Sequence, residues 1–106
     1  MEPINTNWTD DNGNHQGGQS CGIGFTIAWQ RGALNIAGRN GAFVIEVLEA
    51  VRSQIEYFQE AGNGKFACQE NAEALFHVDQ ALNYLKDRRD RRLAQGTLGT
   101  QEPDKR

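Results

Sequence analysis

Two hydrophobic periods follow one another along the chain. In residues 22–30, large apolar side chains alternate with small or polar ones, at Ile23, Phe25, Ile27 and Trp29. A period of two predicts a half-buried β-strand. The Arg31-Gly32 pair is typical of a tight turn, and the alternation after it predicts a second short strand over 33–37. Together these segments predict a two-stranded antiparallel β-hairpin whose apolar face another element must cover.

From residue 42 the period changes to that of an α-helix. Apolar residues recur at steps of three and four over 42–60, and polar or charged residues fill the opposite face. This predicts an amphipathic helix of about five turns, with Asn40 as its N-cap. The glycines and asparagine within 61–64 predict its end. A second amphipathic helix is predicted over 69–94, because the same period resumes there and Gln95-Gly96 follows it.

The two ends of the chain are polar. Residues 1–21 are rich in Asn, Gly, Gln and Asp, and 10–20 contain no apolar residue. Such a segment buries too little surface to offset its ordering entropy, so we predict a disordered polar tail over 1–21. One domain, formed by the β-hairpin and the helical hairpin, is predicted over 22–96. A polar C-terminal tail is predicted over 97–106, and we expect it to be mobile.

The predicted fold class is therefore α+β, with an N-terminal two-stranded antiparallel β-hairpin followed by an antiparallel two-helix hairpin. The ordered part would be roughly 75 residues, and chains of this size cover their apolar surface poorly. The chain nevertheless carries many large apolar side chains. We expect a homo-oligomer with a two-fold dimer as its basic unit; a compact monomer with a small core is the alternative.

Length and charge narrow the functional classes. The chain has 106 residues, which is one domain at most, and its formal net charge is -3. We therefore expect no duplex DNA partner. No apolar run is long enough to span a membrane, and the N-terminus lacks the features of a signal peptide. The cysteines, Cys21 and Cys68, are expected to be free thiols, and with only two histidines no zinc spacing is present. We predict neither metal nor cofactor.

The most unusual local feature is a basic segment, residues 86–92, which holds five of the chain's 11 lysines and arginines. Continuing the apolar stripe of the second helix by three or four residues reaches Arg88 or Arg89, and then Arg92. A guanidinium group suits two-pronged contact with phosphate. The alternative is a solvated helix end whose positive charge complements the helix dipole.

Two further residues have candidate roles in binding. Phe58 ends the apolar stripe of the first helix, where an aromatic ring either stacks on a nucleobase or belongs to the core. Asn71 lies in the first turn of the second helix, where it offers a donor and an acceptor to a base edge or caps the helix. Catalysis has little support, because His77 has no nucleophile at an interpretable spacing and the glycines fit no phosphate-loop pattern. We expect a protein without enzymatic activity.

Four short runs in the second half of the chain carry a resemblance to a known family. In order, they are Gly64-Lys65-Phe66-Ala67-Cys68-Gln69-Glu70-Asn71-Ala72, Asp79-Gln80-Ala81-Leu82-Asn83-Tyr84-Leu85, Asp87-Arg88-Arg89-Asp90-Arg91-Arg92 and Gly96-Thr97-Leu98-Gly99-Thr100. They resemble the helical hairpin of small phage sponge proteins that sequester cyclic nucleotide immune signals. With the preceding strands and Arg39-Asn40-Gly41, the chain is similar in particular to the Thoeris anti-defence sponges over residues 23–100. The related anti-CBASS sponges share the helical hairpin.

The resemblance implies a non-enzymatic trap that acts in the cytoplasm of a phage-infected bacterium. Its ligand would be glycocyclic ADP-ribose, the signal made by a TIR-domain enzyme, and some members also hold cyclic di- or trinucleotides. The resemblance further implies pockets between the subunits of a homo-oligomer built from dimers, such as a hexamer.

The same resemblance implies a role for each of five residues. Phe58 would stack on adenine, and Asn71 would hydrogen-bond the base or the ribose. Arg88 and Arg92 would hold the pyrophosphate. Thr100, in the final Gly-Thr pair, is a weaker candidate for ligand contact.

The chain also departs from the family pattern. Gln69, Tyr84 and Arg89 stand where Arg, Trp and Thr are usual, so the choice of ligand stays open. Two other functions also stay open. One is a protein-interaction module that docks a partner through Val51, Ile55 and Leu82, and the other is an enzyme that cleaves the signal.

Overall fold

The computed structural model describes residues 2–103, which form two compact units. One unit comprises the chain up to Phe43 together with the segment from Arg92 onward, and the other is Val44–Arg91. The elements, in chain order, are β1 (Ile4–Thr9), β2 (His15–Gly22), β3 (Phe25–Trp29), α1 (Leu34–Ala37), α2 (Val44–Gly64) and α3 (Gln69–Gln95). The α+β class is confirmed, but the number of strands differs from the prediction.

The first unit is built on a three-stranded antiparallel sheet in the order β1-β2-β3. The prediction of a disordered tail over 1–21 is wrong, because two of the three strands form there. Most of their side chains are polar, and Ile4 and Trp8 are exposed, so backbone pairing and turn chemistry replace apolar burial as the source of order. Asp10 supplies that turn chemistry: its Oδ1 accepts hydrogen bonds from the backbone N–H groups of Asn12 and Asn14, each at 2.9 Å.

Two further features fit a well-formed turn between β1 and β2. The hydrogen bond from the Asn14 N–H is the main cause that holds the pKa of the Asp10 carboxyl below its ordinary value. Gly13 adopts φ 78°, a left-handed conformation that glycine takes without strain. A short polar turn of this kind is a recognised way to join two antiparallel strands.

A chain of side-chain hydrogen bonds crosses all three strands on one face of the sheet. Trp29 donates from Nε1 to Ser20 Oγ at 2.7 Å, and Ser20 Oγ donates to Asn5 Oδ1 at 2.5 Å. Ser20 is buried. Gly18, directly opposite Trp29 and Asn7 in the strand register, is also buried. An added Cβ at Gly18 would overlap the backbone carbonyl oxygen of Thr6 on β1.

The predicted second strand over 33–37 is also wrong, because Leu34–Ala37 forms the single helical turn α1. The position beside β3 is taken instead by Ala42, which forms a parallel bridge with Trp29. Ala42 donates its N–H to Ala28 O at 2.8 Å and accepts from Gln30 N–H at 3.0 Å. Ala42 thus takes the backbone groups beside Trp29 at which a hairpin strand over 33–37 would begin to pair.

Two side chains hold the loop between β3 and α2. The buried Gln30 donates to Gly38 O at 2.7 Å and accepts from the backbone N–H of Asn40 at 2.9 Å. Asn40 in turn accepts from Arg31 N–H and donates to Arg31 O. Its side chain therefore closes the loop, and the expected role as N-cap of the next helix is wrong.

The second unit contains the two predicted helices. α2 spans Val44–Gly64, and its helical geometry breaks at Ala61–Asn63, as the Gly-Asn cluster predicted. α3 spans Gln69–Gln95 and stops before Gly96, which adopts φ 72°. Gln59 joins the two helices beside the loop: it accepts from Cys68 N–H at 2.9 Å and donates to Cys68 O at 3.1 Å. Both cysteines are free thiols.

The apolar core is very small. Among residues 2–103, Ala33 and Leu82 are the only buried hydrophobic residues. Many large apolar side chains are exposed, including Ile4, Trp8, Ile23, Ile36, Val51, Tyr57, Phe58, Phe66, Phe76 and Tyr84. One chain by itself therefore leaves much of its large apolar side-chain surface in contact with water. The expected homo-oligomer stays a prediction, since one chain is described.

Replacement of Gly18 by alanine tests the close approach of β1 and β2. We expect Gly18→Ala to lower the free energy of unfolding by about 1–3 kcal/mol, because the methyl group displaces the Thr6 backbone. Urea denaturation followed by circular dichroism measures the change. The control is Gln19→Ala at the neighbouring, exposed position. Equal stability of the two variants would contradict the close approach.

Candidate functional site

The loop end of the helical hairpin carries two of the five predicted site residues, Phe58 and Asn71. Phe58 is 45% exposed and makes an edge-to-face contact with Tyr57, with ring centroids 5.6 Å apart. Its ring is therefore available for stacking and does not belong to a core. Asn71 is half-buried at the third position of α3, so it lies inside the first turn and is not the residue that precedes the helix.

Arg88 lies far along α3 from that end. It is exposed and stands 17 positions after Asn71 in one continuous helix. At a rise of 1.5 Å per residue the two backbones are about 26 Å apart. A single chain therefore does not bring Asn71 and Arg88 to one small ligand.

Arg92 and Thr100 lie together in the first unit, in a cap on the end of α3. Arg92 is only 5% exposed, and its Nη2 donates to the carbonyl oxygens of Thr97 at 2.7 Å, Glu102 at 3.1 Å and Thr100 at 3.3 Å. Thr100 Oγ1 donates to Thr97 O at 2.7 Å and accepts from Glu102 N–H. Charge-assisted bonds of this kind are among the stronger ones in proteins.

The cap changes the interpretation of the C-terminal segment. Thr97 is 2% exposed, and its N–H and that of Leu98 both donate to Arg92 O. Gly99 O accepts from Asn35 N–H, which ties the segment to α1. The described part of the predicted mobile tail is thus held by hydrogen bonds; residues 104–106 lie outside the described residues. The cap follows from Gly96 in a left-handed conformation, a usual helix ending.

The second unit also contains a polar groove that was not predicted from the sequence. It has a volume of about 400 Å³ and is lined by Glu49, Arg52, Ser53, Asp79, Leu82, Asn83 and Lys86. Arg52 forms two ion pairs there: Nε contacts Asp79 Oδ1 at 2.6 Å and Nη1 contacts Glu56 Oε2 at 2.7 Å. The hydrogen bond to Asp79 is the main cause that raises the pKa of Arg52, with Glu56 adding to it.

Only part of this network has a signal in the sequence. Arg52 and Glu56 are four residues apart on α2, a spacing that pairs opposite charges on one helix face. The partner on the other helix, Asp79, depends on how the helices pack. The groove is lined by charged, amide and hydroxyl groups around Leu82, without a histidine or a thiol. Nor does any cluster of three or more metal-ligating side chains occur within residues 2–103.

The two ends of the hairpin differ in charge. Residues 56–73 contain four glutamates and one lysine, a net charge of -3. Residues 86–92 contain five basic and two acidic side chains, a net charge of +3. An acidic end with exposed aromatic rings thus stands opposite a basic end rich in arginine. None of the described helices is long and apolar enough to cross a membrane.

These features define a class: a small α+β protein in which a polar three-stranded sheet precedes a helical hairpin with oppositely charged ends. No family model matches the chain. It is 34% identical over 77 residues, 73% of its length, to the protein named Thoeris anti-defense 1 from Bacillus phage SBSphiJ7. The chain is therefore homologous to a phage Thoeris anti-defence protein, as the resemblance predicted. The match spans 52%, about half, of that relative's length.

Removal of the Arg92 guanidinium tests the C-terminal cap. We expect Arg92→Ala to lower the free energy of unfolding by about 2–4 kcal/mol, because buried carbonyl groups lose a charged donor. Hydrogen exchange should show faster exchange of the Thr97 and Leu98 amides. The control is Arg91→Ala at the exposed neighbouring position. Unchanged exchange in Arg92→Ala would contradict the structural role.

A double-mutant cycle on Arg52 and Asp79 tests the link between the two helices. The pair is partly solvated, with side chains 35% and 46% exposed. We therefore expect a coupling energy of only about 0.2–1 kcal/mol from Arg52→Gln, Asp79→Asn and the double variant. Urea denaturation supplies the four stabilities. A cycle on Arg52 and Glu49, two residues that both line the groove, is the control and should show weaker coupling.

Proposed function

We propose that this chain binds and sequesters a cyclic nucleotide immune signal, without degrading it, on behalf of a phage. Its homology to a protein named Thoeris anti-defense 1 is the observation that carries the proposal. Glycocyclic ADP-ribose, the signal of Thoeris defence in the resembled family, is the proposed ligand, and cyclic di- or trinucleotides are further candidates. Sequestration needs no catalytic group, so binding alone would account for this function.

The chemistry of the proposed contacts follows from the exposed side chains. Phe58 offers a ring face to adenine, an interaction of about 1–3 kcal/mol. Asn71 offers an amide to the base or ribose, and Arg88 a guanidinium to the pyrophosphate. For Arg92 and Thr100 we propose a structural role in place of ligand contact, because their hydrogen bonds hold the segment that follows α3.

The proposed site requires two copies of the chain. The backbones of Asn71 and Arg88 are about 26 Å apart along α3. A single cyclic nucleotide is too small to contact both residues of one chain. Two hairpins packed antiparallel would place the acidic, aromatic end of one beside the basic end of the other. Complementary charge favours this arrangement over a parallel one. Each two-fold dimer would then contain two equivalent sites.

An uncovered apolar stripe on α2 supports the same dimer. Val44, Val51 and Phe58 are spaced by seven residues and are all exposed. This spacing places them on one face of the helix, as at a coiled-coil seam. In the alternative function, a protein-interaction module, Val51, Ile55 and Leu82 dock the partner; Leu82, however, is only 4% exposed. A larger assembly built from such dimers, up to a hexamer, belongs to the same proposal.

Isothermal titration with glycocyclic ADP-ribose tests the function. We expect submicromolar binding, and intact ligand should be recovered by chromatography after the complex is denatured. Cleavage products would indicate an enzyme, and micromolar or weaker binding to every cyclic nucleotide tried would reject the sponge. Phe58→Ala should weaken binding about 5- to 150-fold. Tyr57→Ala, at the neighbouring exposed ring, is its matched control.

Mixing two weakened variants tests whether the site is shared between subunits. Phe58→Ala and Arg88→Ala should each bind the ligand more weakly than the wild type, so neither alone shows sites of wild-type affinity. After unfolding and refolding together, mixed dimers should contain one intact site, restoring roughly a quarter of the binding sites. Titration with the ligand counts the sites. A mixture of Phe58→Ala with Asn71→Ala is the control: both residues lie at the same end, so no intact pair with Arg88 is formed. Equal recovery in the two mixtures would contradict the antiparallel arrangement.

A further inference from the structure

The two edges of the three-stranded sheet differ. The edge of β3 is occupied near Trp29, because Ala42 bonds to the backbone there. β1 pairs with β2 on one side, and no described segment pairs with its other side. All six residues of β1, Ile4–Thr9, are exposed. An edge of this kind presents unpaired backbone N–H and C=O groups to any strand that approaches.

β1 also lacks the devices by which monomeric proteins protect such an edge. Ile4–Thr9 contains no charged residue and no proline. The ladder has one irregularity, between Asn7 and Thr9. One residue separates these two positions on β1, whereas two separate their partners Gly18 and His15 on β2. The extra residue therefore lies on β2, where Gly17 adopts φ 90°, and β1 remains a regular strand.

We propose that β1 pairs antiparallel with β1 of a second copy of this chain, which joins two sheets into one of six strands. A two-fold axis perpendicular to the sheet at Thr6 would relate the two β1 strands. Each residue of one strand then lies opposite a residue of the other whose side chain is on the same side of the sheet. That register pairs Ile4 with Trp8 of the partner subunit, Asn5 with Asn7 of the partner subunit, and Thr6 with the partner subunit's Thr6.

The strand is self-complementary in this register. The aromatic–β-branched and threonine–threonine pairs are of kinds that stabilise neighbouring strands. In the amide–amide pair, each side chain offers both a hydrogen-bond donor and an acceptor. Trp8 and Ile4, both exposed in the single chain, would cover one another. Pro3 has no N–H group to extend the ladder, and the chain turns at Asp10 through the Asp10–Asn14 hydrogen bonds. The paired length is thus that of β1 itself, and a second copy fits it at both ends.

This interface is separate from the one proposed for the helical hairpin, and it does not depend on a ligand. Its test is therefore the mass of the ligand-free chain by sedimentation velocity. Thr6→Lys places two ammonium groups opposite one another at the two-fold axis, where like charges destabilise pairing. We expect Thr6→Lys to reduce the mass of the assembly at least about twofold relative to the wild type, with an unchanged circular dichroism spectrum.

Two controls separate edge pairing from other contacts. Thr26→Lys makes the same change on an exposed position of β3, on the same face of the sheet, and should leave the mass unchanged. An equimolar mixture of Thr6→Lys and Thr6→Glu should recover the wild-type mass, because opposite charges then meet at the axis. A Thr6→Lys assembly of wild-type mass, a monomeric wild type, equal dissociation by Thr26→Lys, or a mixture that stays dissociated would each overturn the proposal.

Discussion

The fixed rise of an α-helix is the constraint on which the functional interpretation depends. α3 is one uninterrupted helix of 27 residues, so its two ends are about 40 Å apart whatever its side chains do. The aromatic ring and amide proposed for the base lie near one end, and Arg88 lies toward the other. No rotamer change closes such a gap within one chain. A ligand that needs both ends has to be bound between two copies, and the opposite charges of the ends favour an antiparallel pair.

The small apolar burial of the single chain is the structural basis of the proposed association. Few hydrophobic residues are buried, while rings such as those of Tyr57, Phe66 and Tyr84 remain exposed. Its polar groups, in contrast, are extensively satisfied. Gln30 closes a loop, Gln59 joins the helices, and Arg92 holds the C-terminal segment. Hydrogen bonds thus define each unit, and the proposed association would cover the exposed apolar side chains.

Residues 1–21 show where composition is a poor guide. Their polar composition, with no apolar residue in 10–20, predicted disorder, since burial usually supplies the free energy of folding. Two strands form instead, because Asp10 and Gly13 make a tight turn and Gly18 lets the backbones approach closely. The strand predicted over 33–37 does not form for a similar reason. The residue that pairs with Trp29 is Ala42, 13 positions further along the chain, and local sequence pattern does not indicate this pairing.

The sequence by itself determined the local features: both long helices, the break after Glu60, the end at Gly96, the α+β class and the family resemblance. All of these depend on periodicity, on glycine and asparagine at helix ends, or on short ordered motifs, which act over a few residues. Only the tertiary structure decided that Arg92 is buried against carbonyl groups, that Arg52 bonds Asp79, and that β1 lies at an open edge. The reason is physical: the partner of a guanidinium or of a strand edge is chosen by packing between segments far apart in the chain, and local pattern carries no record of that choice.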